Sequence, residues 1–97
     1  MSYTRYIKQN RPNTNTLFFS PSADAIAKMD EYVASGKIEN YNLDNVSGNE
    51  LYKEIKIVFN NITSFDEFIS EEVILNSKLA RTNHCSTNYI SYSLEEE

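Results

Sequence analysis

The sequence predicts a single α+β domain with the element order β-α-β-β-α-β, and three observations carry that prediction. Leu51 to Phe59 alternates strictly, with Ile55, Ile57 and Phe59 on one face and Tyr52, Glu54, Lys56 and Val58 on the other. That is the period of a strand covered on one side only. Ser20-Pro21 and Gly36 bracket a segment of helical periodicity, with a start signal at one end and a left-handed stop at the other. Ser64 followed by Glu67 forms a capping box ahead of a second helical segment. At 97 residues, the span 1–97 makes one domain. A chain of this size buries roughly two-thirds of its unfolded surface, enough for a real core.

Taken in order, Tyr3 to Lys8 reads as a first strand, rich in aromatic and β-branched residues. Arg11-Pro12-Asn13 breaks it, and Thr14 to Phe19 reads as extended again, either as a bulged continuation or as the return of a short hairpin. Ser20 serves as N-cap of the first helix with Pro21 at its first position, and Ile26, Met29 and Val33 share a face with Ala23 and Ala27 beside them. Ile38 to Val46 reads as a weakly patterned strand, and Ser47-Gly48-Asn49 as the turn into the alternating one. Asn60-Asn61 ends that strand. Phe65, Phe68 and Ile69 form the apolar side of the second helix, and Ser70-Glu71-Glu72 resembles a further cap at which the helix kinks or restarts. Val73, Leu75 and Leu79 continue the apolar stripe to about Arg81. Thr82 to Thr87 reads as polar loop and Asn88 to Leu94 as the last strand, with Ile90, Tyr92 and Leu94 on one side.

This order matches the ferredoxin-like split βαβ motif, a four-stranded antiparallel sheet with two helices on one face. The helix-free face is expected to hold Tyr3, Tyr6, Tyr52, Val58 and Tyr89, an apolar patch that predicts a face-to-face homodimer.

Composition removes several function classes. Nine basic against fourteen acidic residues give a net charge of −5, the wrong sign for a phosphate-backbone binder, so no nucleic-acid partner is expected. The apolar stretches are a few residues long, so no membrane partner is expected either. With Cys85 as the only cysteine and no apolar run behind Met1, the chain reads as cytoplasmic and without a zinc–thiolate cluster. Only Gly36 and Gly48 are glycines, which excludes P-loop and dinucleotide fingerprints.

The segment Ser64-Phe65-Asp66-Glu67-Phe68-Ile69-Ser70-Glu71-Glu72-Val73 resembles the second-helix pattern of the dimeric α/β-barrel superfamily, the group that includes antibiotic-biosynthesis monooxygenase-like proteins. The element order extends that resemblance over most of the chain. The resemblance implies a homodimer whose sheets pack together around or beside a ligand pocket, and a cofactor-free oxygenase as one of its activities. Haem-degrading members place a Trp and a His in this helix. Here Phe68 stands at the aromatic position and Lys78 where the His would fall, so no haem, other cofactor or metal is expected.

His84-Cys85 is the most reactive-looking pair, but neighbouring side chains on a loop point apart, and a buried loop is the expectation. Asp66, Glu67, Glu71 and Glu72 could offer paired carboxylates, but two of them are explained by positions at helix N-termini, where the dipole favours acidic residues. The seven tyrosines stand out: Tyr52, Tyr89 and Tyr92, together with Phe68, are the candidate ligand-binding residues. The function expected is a protein that binds or oxidises a small aromatic molecule without cofactor. The alternative is a non-enzymatic accessory or inhibitor protein acting through protein contacts. A ligand site is expected between sheet and helices or at the dimer seam, rather than at His84-Cys85.

Overall fold

A computed structural model describes residues 2–45 and 48–97. Its elements are β1 (Tyr3–Asn10), α1 (Ala23–Ala34), β2 (Ile38–Asn45), β3 (Tyr52–Phe59), α2 (Ile62–Ser70), α3 (Glu72–Thr87) and β4 (Ser91–Glu96). The strands form one sheet in the order β2-β3-β1-β4, antiparallel at every pairing. This is the ferredoxin-like topology that the element order predicts. Three helices cover the sheet rather than two, because Glu71 is extended (ψ 135°) and divides α2 from α3 where the second cap was read. The expected strand end at Val46 and the turn residue Ser47 lie outside the described residues.

Register decides which residues share a face, since residues directly opposite in an antiparallel pair point the same way. Tyr3 lies opposite Phe59 and Ile7 opposite Ile55, while Gln9 and Tyr92 are partners across β1–β4. These residues face the helices. Tyr6 opposite Lys56 and Asn10 opposite Tyr52 belong to the helix-free face. Tyr3 is therefore not on the open face: its ring packs 4.8 Å from Phe65. Tyr89 is not in a strand at all, but in the turn after α3 at φ 57°, largely exposed.

The main core lies between β2-β3-β1 and the first two helices. Met29, Tyr32, Ile38, Ile55, Ile57, Phe59, Phe65 and Phe68 form one buried cluster. The Phe59 ring meets both Phe65 and Phe68 edge-on at 5.4 Å, the favoured aromatic geometry. The alternation read in β3 is the sheet side of this core.

The helix starts move from their expected positions for a reason visible in the backbone. Ser22, not Ser20, caps α1, accepting the Ala25 N–H at 3.2 Å. The shift turns Ala25, Met29 and Tyr32 inward and leaves Val33 exposed. Asn61, not Ser64, caps α2, its Oδ1 accepting the Ser64 N–H at 2.9 Å, and Ser64 is buried inside the first turn. Gly36 does stop α1. At φ 79°, its N–H bonds Val33 O while Lys37 N–H reaches Tyr32 O, a Schellman pair that a left-handed residue permits.

Two stretches depart from expectation more strongly. Thr14 to Phe19 forms no strand. Asn13 Oδ1 gathers the N–H groups of Asn15 and Thr16, and the segment then runs in over the sheet to Phe19. Gln9, fully buried on β1, ties it down, accepting Phe19 N–H at 2.9 Å and donating to Phe19 O at 3.1 Å. Residues 82–87, expected as loop, continue α3 to Thr87, and β4 begins only at Ser91.

Candidate functional site

The inward side of α3 is unusual. Ile74, Arg81 and Cys85 recur at helical spacing toward the sheet, with Lys78 exposed at the cavity rim, while Leu75 and Leu79 are 47% and 63% exposed. Of the expected apolar stripe, Leu79 points outward and Leu75 reaches only the cavity mouth, while the Arg81 cation takes an inward position. A helix docked through such residues does not close down on the sheet. Between α3, the α2–α3 junction and the sheet lies a cavity of about 270 Å³. Its deep wall is the underside of the main core, including Ile57, Phe59 and Phe68. Ile69, Leu75 and Lys78, all exposed, mark its mouth.

Two arginines line this largely apolar space, with Ser77 and Lys78 toward the α3 side. Arg5 extends from the helix side of β1, between Tyr3 and Ile7, and its guanidinium carbon lies 5.3 Å from the centre of the Phe65 ring. Arg81 comes from α3, is only 7% exposed, and stands 5.2 Å over Tyr92. The Nε of each is buried without a hydrogen-bond partner, and no ion pair among the described residues includes either. Burial lowers the Arg5 pKa; the nearby Glu96 carboxylate opposes that shift, and the Arg81 charge adds to it. Glu96 itself accepts the Tyr3 hydroxyl. Among the described residues the lining holds no His, Asp or Glu, the commonest general bases.

The four residues singled out from sequence do not converge. Phe68 lines the cavity. Tyr92 stands behind Arg81, its hydroxyl 3.5 Å from Thr82 Oγ1. Tyr52 is on the opposite face of the sheet, donating to Glu54 at 2.8 Å, and borders a shallow depression with Arg11 and Phe18. Tyr89 projects from the turn before β4. The two arginines of the cavity, Arg5 and Arg81, are not among the residues singled out from sequence, although parity with Tyr3 and Ile7 places Arg5 inward and a seven-residue step from Ile74 does the same for Arg81.

His84 and Cys85 sit in the last turn of α3, not in a loop. Their side chains diverge: His84 Nε2 lies 2.8 Å from Leu17 O, while Cys85 is buried with Phe19 and Ile90. Burial raises the Cys85 pKa, against a smaller lowering by Arg81, so the thiolate that a nucleophile needs is disfavoured. No group of three or more His, Cys, Asp or Glu suited to a metal ion occurs among the described residues. No helix among them is long and apolar enough to cross a membrane.

No known family's sequence profile matches the chain, and no curated protein matches it in sequence. Solved structures do match. A conserved protein of unknown function from Bacteroides thetaiotaomicron, suggested to be an oxidoreductase, superposes with a TM-score of 0.63 at 12% identity, covering 99% of this chain and 95% of that one. A candidate antibiotic biosynthesis monooxygenase from Caulobacter crescentus gives 0.61 at 7% identity, over 98% of this chain and 87% of the other. SnoaB, a cofactor-independent oxygenase from Streptomyces nogalater, gives 0.61 at 9% identity, over 99% and 90%. At these identities the likeness is one of fold. The chain has the ferredoxin-like fold of the antibiotic-biosynthesis-monooxygenase-like proteins.

Proposed function

We propose that this protein binds a small aromatic molecule in the cavity between the sheet and α3. One observation carries the reading: a cavity of about 270 Å³ walled by Phe59, Phe65, Phe68 and isoleucines in a chain of only 97 residues. An apolar pocket with few polar groups is the usual form of a small-molecule site, and this one lies just below the usual volume of about 300–1,000 Å³, which suits a small ligand. Cofactor-free oxidation of the bound molecule is the reaction suggested by the fold shared with SnoaB. Without a carboxylate or imidazole in the lining, the geometry favours binding over turnover.

Homodimerisation is favoured by the helix-free sheet face, which carries Tyr6, Tyr52 and Val58 with no element over them. Light scattering should give about twice the 11.2 kDa chain mass. A cytoplasmic location fits the one unpaired thiol, Cys85. The competing reading, an accessory protein working through surface contacts, draws on the exposed Leu17, Leu75 and Leu79.

Chemical-shift titration with small aromatic compounds separates the two. Binding should perturb Ile57 and Phe68 signals, and filling the cavity with Ile74→Phe should abolish it while leaving the fold intact. Aromatic ligands that leave every cavity residue unshifted would favour the accessory-protein reading. Oxygen uptake in the presence of a binding ligand tests the oxidation.

A further inference from the structure

The cavity is apolar over most of its wall, yet two permanent cations open onto it. An arginine cannot escape burial by losing its proton, because its pKa lies far above neutrality even when depressed. A guanidinium held out of water without a carboxylate costs several kcal/mol, and here two stand close enough for their charges to interact. Neither is compensated by the protein in the usual way. The Glu96 carboxylate, whose charge acts on Arg5, already accepts the Tyr3 hydroxyl, and Arg81, at 7% exposure, has no ion-pair partner among the described residues. The aromatic rings of Phe65 and Tyr92 meet the guanidiniums within cation–π range. That contact offsets part of the cost while leaving N–H donors in the guanidinium plane available to an acceptor.

Building on the binding site just proposed, we propose that Arg5 and Arg81 form a paired guanidinium clamp that selects small apolar organic acids by their carboxylate. A planar carboxylate offers the acceptor geometry that guanidinium forks match, and one negative charge between two cations relieves their repulsion. The apolar body of the acid would lie against Ile57, Phe59 and Phe68. Lys78, exposed at the mouth, adds attraction for an anion entering a protein that is otherwise net acidic, at −5.

The test uses cinnamate and its neutral isostere cinnamamide, titrated by calorimetry and by chemical shifts against the wild type and the Arg5→Met, Arg81→Met and Arg81→Lys variants. Cinnamate should bind the wild type about tenfold to a hundredfold more tightly than cinnamamide, the worth of a hydrogen bond to a charged group. Each Met variant should remove most of that preference, weakening cinnamate far more than cinnamamide. Arg81→Lys should retain part of it, since it keeps charge but loses the fork. Equal affinity of the two compounds for the wild type would overturn the clamp while leaving the aromatic-binding reading in place. Failure of both compounds to bind would end both. Inorganic phosphate displacing cinnamate at equal concentration would also overturn the proposal, by showing a general anion site with no use for the apolar wall. Should a Met variant fail to fold, the wild-type comparison of acid and amide still decides.

Discussion

The layer between sheet and helices has two halves built on different rules. Under α1 and α2, the inward positions are apolar apart from Ser64, and the rings of Phe59, Phe65 and Phe68 interlock. Under α3, Arg81 takes an inward position, Lys78 and Leu75 reach only the cavity mouth, Leu79 points out, and β4 is exposed along its whole length. The first half obeys the agreement between pattern and packing that specifies a fold. The second departs from it, and the departure coincides with the cavity. Stability is concentrated on one side of the molecule, and chemistry capable of recognition on the other.

The sharpest way to break that contrast is truncation on either side. Phe59→Ala should cost about 3–5 kcal/mol, a large fraction of what a domain of this size possesses, whereas Leu79→Ala on the outer side of α3 should change stability by about 0.5 kcal/mol or less. Urea denaturation of both variants measures the difference. Comparable losses would mean that α3 packs as tightly as the first two helices. Next in size, Gln9→Ala strands the buried N–H and C=O of Phe19 and should cost about 2–3 kcal/mol. Native-state hydrogen exchange should show the loss at Phe19 N–H first.

Smaller effects refine the boundary between the halves. Asn61→Ala removes the α2 cap and should cost about 1 kcal/mol. Ser64→Ala, at a position that donates only its backbone to that cap, should cost less. The reverse ranking would return the helix start to Ser64. Least of all, Arg81→Met should leave the melting temperature unchanged or slightly raised, because it replaces an unpaired buried charge with an apolar chain of similar length. A melting temperature lowered by many degrees would show that Arg81 serves the fold rather than the cavity.

How far the sequence could be read follows the same division. The alternation of β3, the Schellman stop at Gly36 and the break at Glu71 are local signals, and the structure keeps all three. The antiparallel order followed from them. Cap positions slipped by a few residues because Ser20, Ser22, Asn61 and Ser64 are all competent caps, and only tertiary packing selects among them. Residues 82–87 hid their helix for a different reason. Thr82, Asn83, Ser86 and Thr87 favour the helix weakly, and the segment is held by the inward docking of Arg81 and Cys85 and by the Asn88 side chain bonding His84 O. At the site, Phe68 was legible because it belongs to an apolar stripe. Arg5 and Arg81 were not, since a charged residue ordinarily marks a solvated face.

The bond pair between Gln9 and Phe19 has a consequence for how this chain could grow. The two residues stand ten positions apart, and the amide closes the span between them without any strand pairing. Arg11 gathers the base of the excursion again, donating to Thr16 O and Glu50 O. What remains beyond these ties, from Pro12 to Asn15, is exposed and touches no core residue. The closure cost of such a loop rises only by about 0.6 kcal/mol for each doubling of its length. The excursion can therefore lengthen without disturbing either half of the interior. A fluorophore or a short peptide spliced in at Asn15 would leave the strand, the cavity and the tether as they are.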